Sequence, residues 1–380
     1  MPGILPPALD ARLDQVIEEV VAPQAAAVDA DGAFPKAAVE ALAEAGLLAL
    51  TVPTQYGGAG LGLDAAADLV RRLATACSST AMVVTMHYSG TAMLVTAGHA
   101  ASLTAIAEGR HLTTLAFSER GSRSQFWAPM STATADGDAV VLDAFKSWVT
   151  SAHHADSYVW SSRPLAADGA MTLWYLDTTT AGLSSPEGFD GLGLRGNDSC
   201  PVMAESVRVP RDAMLGADGA GLDLALGHVL PVFLVLNASA SLGAMQALTT
   251  ATAAHLTGTS LEHLGQSLAQ QLPGRTRLAQ MSIETDRTRA QIADAIAAAA
   301  AGLEVAPLLV LQTKAAADQS VALVSDLAMT ACGGAAFRKE LAVERRFRDA
   351  RAARVMAPTT DALLDIVGRA LTGLPLLGDA

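Results

Sequence analysis

The sequence predicts a mainly α-helical protein with a central β domain: an N-terminal α-helical domain, a small antiparallel β domain and a C-terminal helical bundle. Three observations carry this. Apolar residues recur at spacings of three and four through the first part of the chain; between Leu112 and Arg211 they give way to short alternating runs rich in Val, Thr and aromatics; and from Leu222 the helical period returns and holds to the end. The expected domains are 1–111, 112–221 and 222–380, and 380 residues are enough for two or three domains with a large core.

The first helices are predicted over Leu9–Val21, closed by Pro23, and over Pro35–Ala49, with Pro35 in the first turn. After a break at 53–60, which is rich in Gly, come Leu63–Ala76 and Thr80–Gly98, with Ser78 and Ser79 as N-caps. In the middle segment Asp136-Gly-Asp138 and Ala167-Asp-Gly169 are hairpin signals. All four Trp residues, Trp127, Trp148, Trp160 and Trp174, fall there, so the largest rings are concentrated in one domain. The predicted bundle helices are Leu222–Leu256, Pro273–Ala301, Pro307–Cys332, Phe337–Arg354 and Thr360–Leu371; long helices with short connections make a bundle.

Composition narrows the function classes. A net charge of −13 without blocks of like charge argues against nucleic-acid binding. Three Cys residues far apart suggest neither a disulfide framework nor a metal site, and a reducing cytoplasm is the expected location. The N-terminus lacks the basic and apolar regions of a secretory signal. Leu224–Leu261 contains no Asp, Glu, Lys or Arg, but His228, Pro231, Asn237 and Gln246 interrupt it, so it is expected as a buried bundle helix and not a membrane span. A mean hydropathy of +0.32 then implies surface hidden between subunits.

Two stretches carry chemistry. Leu115-Ala-Phe-Ser-Glu-Arg-Gly-Ser-Arg-Ser124 ends an apolar run in a loop rich in hydroxyls and free N–H groups; Lys146-Ser-Trp-Val-Thr-Ser151 sets a Trp between hydroxyls on a β-prone segment. Together they supply donors for the edge of a flat heterocycle and an indole for its face, which suits an isoalloxazine.

These stretches resemble the flavin-binding domain of the acyl-CoA dehydrogenase superfamily. Phe34 to Leu48 followed by Val52-Pro53 and Tyr56-Gly-Gly58, Gly193-Leu-Arg195 through Val207-Arg-Val-Pro210, and Cys332-Gly-Gly334 through Arg348-Asp-Ala-Arg351 extend the resemblance over nearly the whole chain. It implies FAD, with FMN as the alternative, contacted by Phe117, Ser118, Gly121, Ser122, Ser124, Trp148, Thr150 and Thr359. Gly333 and Gly334 would let a neighbouring subunit's backbone approach the adenylate half. It further implies that the middle domain is a small antiparallel β-barrel and the C-terminal domain a four-helix bundle, and it implies a homodimer or homotetramer, an acyl-CoA substrate, and an electron-transfer flavoprotein or flavin reductase as redox partner.

The chain departs from the family pattern at its base. The family's proton-accepting Glu stands shortly after the Arg-Asp-Ala segment, where this chain has Met356-Ala-Pro-Thr359, or in the first long bundle helix, near Phe233 here. Ala357 and Phe233 cannot take a proton. Leu261 also replaces an Arg that reaches a partner's flavin pyrophosphate, with His263, Arg275 or Arg277 as substitutes. Candidate catalytic residues are therefore Asp361, one turn after Ala357, and His87 and Ser89 from Met86-His-Tyr-Ser-Gly90; Glu119, His153 and His154 are weaker candidates. Three readings follow: an acyl-CoA dehydrogenase with a relocated base, a monooxygenase of the same fold using reduced flavin, and a non-catalytic assembly partner. No spacing of His, Cys and acids matches a metal site.

Overall fold

In the computed structural model, which describes residues 4–122, 125–186 and 188–377, helices flank a β domain in the order the periodicity predicts. The N-terminal helices are α1 (Pro7–Val16), α2 (Ala22–Asp31), α3 (Lys36–Glu44), α4 (Leu63–Ala76), α5 (Ser78–Ala97) and α6 (Ala100–Ala107). Pro23 does not close the first helix. A π-type turn over Ile17–Val21 leads without a break into α2, and Pro23 sits at the second residue of that helix, directly after the irregular turn. Ser78 and Ser79 lie inside α5, after a Cys77 cap that makes no side-chain bond.

The β domain holds β1 (Thr113–Ala116), β2 (Thr132–Asp136), β3 (Ala139–Val149), β4 (Ser157–Ser162), β5 (Thr172–Asp177), β6 (Leu183–Ser184) and β7 (Cys200–Pro210). They form two sheets, ordered β1-β4-β5 and β2-β3-β7-β6. The expectation of a wholly antiparallel domain needs one correction: β1 pairs with β4 in parallel. The intervening chain makes the β2–β3 hairpin of the other sheet, a connection long enough to bring β4 back in the same direction. Trp160 and Trp174 face each other across β4 and β5 and are fully buried.

The helical remainder is α7 (Gly221–Leu224), α8 (Leu230–Gly258), a small hairpin of β8 (Ser260–Leu261) and β9 (Gln266–Ser267), α9 (Leu272–Ala300), α10 (Ala306–Cys332), α11 (Val343–Val355) and α12 (Thr360–Thr372). A second π-type turn, Ala225–Val229, joins α7 to α8. The uncharged helix packs against α4, α5, α9, α10 and α11, which explains why it is apolar on every side. By length and composition Gly221–Gly258 and Ala306–Phe337 could each cross a membrane; both are bundle elements here, and packing buries more than half of the apolar stretch of the first and about two-fifths of that of the second.

One core runs through the N-terminal helices and the bundle, from Leu13 and Leu42 to Val235, Val324 and Leu363. The Arg348-Asp-Ala-Arg351 word clamps the domains together. Arg348 donates to both oxygens of Asp29 in α2, at 2.8 and 2.5 Å, and Asp349 accepts the Leu194 N–H at 2.7 Å. Gly193 is required beside it, since a Cβ there would lie 2.5 Å from the Arg348 backbone.

Candidate active site

Strand β3 is paired with β7 through Lys146↔Val202 and then Val149↔Cys200, so two residues of β3 oppose one of β7. This bulge turns Trp148 into the left-handed region at φ 57° and swings its indole outward, where it remains 61% exposed against Phe189, with ring centroids 4.2 Å apart. A large exposed indole on a strained bulge marks a surface shaped to be covered. Beside it Thr150 is buried with its Oγ1 3.4 Å from Ser199 Oγ.

The loop 118–122 is held to β3 by a buried ion pair. Lys146 Nζ donates to Glu119 Oε1 at 2.5 Å, to the Ser161 carbonyl at 2.6 Å and to Ser161 Oγ at 2.9 Å, while Glu119 Oε2 accepts the N–H groups of Met130 and Ser131. Burial pushes the Lys146 ammonium down to about 8, against the pull of Glu119. For Glu119 burial acts upward, but Lys146 and Ser131 outweigh it and hold the carboxyl below its ordinary range. Glu119 is thus fully engaged as an acceptor.

These elements border a cavity of about 590 Å³. Its β-domain wall carries Phe117, Ser118, Arg120, Gly121, Ser147, Trp148, Thr150, Asn197 and Ser199; its helical wall is apolar, with Met86 from α5, Ala225 and Val229 from the π-type turn, Leu230 and Phe233 from α8, and Val355, Met356, Ala357 and Pro358 at the end of α11. Phe233 and Ala357 therefore line one cavity. Among the described lining residues Glu119 is the one carboxylate.

Five expected cofactor residues, Phe117, Ser118, Gly121, Trp148 and Thr150, line this cavity. Ser122 does not, its Oγ donating back to the Glu119 carbonyl, and Ser124 lies outside the described residues. Thr359 caps α12 by accepting the Ala362 N–H, and Gly333 and Gly334 are exposed beyond α10; none of the three lines the cavity. Gly333 has φ 55° and ψ −137°, backbone that only glycine adopts without strain.

The expected catalytic side chains do not reach the cavity. His87 is fully buried: its Nε2–H donates to the Leu48 carbonyl at 2.9 Å and its Nδ1 accepts the Thr113 N–H at 3.3 Å, tying α5 to β1 and to the loop after α3. Burial pushes its pKa down to about 4. Ser89 Oγ donates to the Thr85 carbonyl inside α5, and Asp361 is exposed on α12. Of the weaker candidates, His154 stacks on Phe34, and His153 Nδ1 lies 2.9 Å from Asp198 Oδ1. Asp198 also takes the Cys200 thiol at 3.3 Å, so His153, Asp198 and Cys200 satisfy one another. Periodicity could not single out Phe189, Asn197 and Ser199, because loop and bulge geometry brings them to the site.

The structure is that of a three-segment protein, helical, β and helical, whose central cavity has hydrogen-bond donors on its β wall and apolar helices opposite. The chain belongs to the acyl-CoA dehydrogenase superfamily. The family's N-terminal domain model matches residues 8–104, its middle domain 114–207 and its C-terminal domain 219–372. The chain is 29% identical to the human mitochondrial short-chain specific acyl-CoA dehydrogenase over 90% of its length and 84% of that protein. It is 26% identical to cyclohex-1-ene-1-carbonyl-CoA dehydrogenase of Syntrophus aciditrophicus, covering 92% and 86%. Its fold matches that of butyryl-CoA dehydrogenase from Megasphaera elsdenii with a TM-score of 0.91 at 21% identity, covering 98% of this chain and all of that one.

Proposed function

We propose that the chain is an FAD-dependent oxidoreductase whose cavity takes the acyl part of a thioester. The carrying observation is the division of the cavity into a donor-lined β wall with an outward indole and an apolar helical wall. Ser118, Thr150 and the loop N–H groups would hold the rim of the isoalloxazine and Trp148 its face; bound FAD would supply a two-electron acceptor. Met86, Val229, Leu230 and Phe233 would exclude water and orient an aliphatic chain.

Dehydrogenation of an acyl thioester also needs a group to take the α-proton, and the two cavity positions where the family keeps Glu are Ala357 and Phe233. Glu119 is bonded to Lys146 and to two N–H groups and is not free to serve. On this reading the described lining residues bind and orient a substrate without supplying a free carboxylate base, which costs roughly 10²–10⁴-fold in any reaction that starts with proton removal. A second reading that accommodates this absence among the described lining residues is oxygenation by reduced flavin, which does not start with removal of an α-proton.

Reconstitution decides the first point: apoprotein titrated with FAD should quench Trp fluorescence and yield a yellow protein. A preparation that stays colourless would refute the cofactor assignment. The exposed bundle residues Phe337, Val355 and Leu371 fit burial by a second copy, which light scattering would register as a dimer or tetramer.

A further inference from the structure

We infer that Lys314, buried in α10, is a positioning residue that fixes the turn carrying Met356, Ala357 and Pro358 into the cavity, with Asp318 and Asn237 as its supports. This rests on the cavity being the substrate site.

Helix α11 ends at Val355, and its last carbonyls have no intrahelical partners. Lys314 Nζ, with no exposed surface, meets them: it lies 3.2 Å from the Ala353 oxygen, 3.4 Å from that of Met356 and 3.2 Å from that of Pro358. Its charge is balanced by Asp318 Oδ2 at 2.8 Å, one turn further along α10, and the same oxygen accepts the Thr360 hydroxyl at 2.9 Å. Thr360 is the first residue of α12, so one buried ammonium–carboxylate pair grips both ends of the segment 356–359. From the opposite side Asn237 Nδ2 donates to Met356 Sδ at 3.2 Å, one helical turn after Phe233 on α8. The turn that carries Ala357 is thereby held in place by neighbours that do not line the cavity.

Stability alone does not explain such a pair, because apolar residues of similar volume commonly serve as well or better in a core. What the pair adds is direction: an ammonium converging on three carbonyls specifies where the turn sits, which methyl groups cannot do.

The test uses full-length FAD-loaded protein carrying Lys314→Met with Asp318→Asn, so that no lone charge is buried, beside Asp318→Asn alone. The double variant should keep its FAD, raise hydrogen–deuterium exchange at 356–362 at least tenfold and alter the visible circular dichroism of the flavin; the single variant, which strands the buried ammonium, should raise exchange at the same segment and also melt at lower denaturant than the double variant. Unchanged exchange and spectrum in the double variant would overturn the assignment. If the double variant does not fold, Asn237→Leu serves: it should raise exchange at the same segment several-fold, and an unchanged rate would count against the inference. Exchange is read with or without FAD, so a failure of the parent protein to bind FAD would sink the proposed function while leaving this result legible.

Discussion

His87 makes a quantitative prediction about acid stability. Folded, it is a neutral ring locked between the Leu48 carbonyl and the Thr113 N–H, with its pKa pushed down to about 4 by burial from an ordinary 6.5. Between those values the unfolded chain binds a proton that the folded one refuses, so stability is intact above about pH 6.5 and falls as the pH drops toward 4. A shift of about 2.5 units at about 1.4 kcal/mol per unit corresponds to roughly 3 kcal/mol by pH 4. Asp349 acts with the opposite sign, since burial pushes its carboxyl up to about 6 and protonation below that value favours the fold. The diagnostic quantity is therefore the difference between wild type and His87→Gln. Urea melts at half-unit steps from pH 7.5 to 4 should show the wild-type advantage shrinking by about 3 kcal/mol. A difference constant across that range would refute a neutral, buried His87.

Three further outcomes follow from the site and the bundle. Trp148→Ala should weaken FAD binding about tenfold, from about 1–1.5 kcal/mol of lost ring contact, while Trp148→Phe keeps most of it; equal affinity in a fluorescence titration would remove Trp148 from the cradle. Lys146→Met strands the buried Glu119 carboxylate and should cost about 3–5 kcal/mol in denaturant melts together with flavin retention; a variant as stable as wild type would mean the ion pair does not anchor the loop. Gly333→Ala should lower stability by about 1–3 kcal/mol, because the cost arises from its φ and not from crowding; an unchanged melting temperature would argue against that backbone conformation.

Element type was legible wherever periodicity was strong. The bundle helices after Leu222 and the Asp136-Gly-Asp138 turn fall close to where the sequence places them, because apolar spacing and a tight two-residue loop are local signals, except that the helix expected from Phe337 starts only at Val343, after two 3-10 turns. The parallel β1–β4 pairing and the β3 bulge were not legible, since both depend on partners far along the chain. The same division holds at the site. Phe117, Ser118, Trp148 and Thr150 lie within two continuous words and line one cavity. His87 was singled out by residue type and Asp361 by its place one turn after Ala357, and neither says which way a helix turns its face. Lys314 sits in an unremarkable helical stretch, and only the fold brings it beneath the 356–358 turn.

The most direct test of the central claim is anaerobic mixing of butyryl-CoA with the FAD-loaded wild type and with Ala357→Glu, followed by flavin absorbance. The account predicts slow bleaching or none in the wild type and a gain of about 10²–10⁴-fold once a carboxylate stands at position 357. Rapid bleaching by the wild type, unimproved by the substitution, would contradict it.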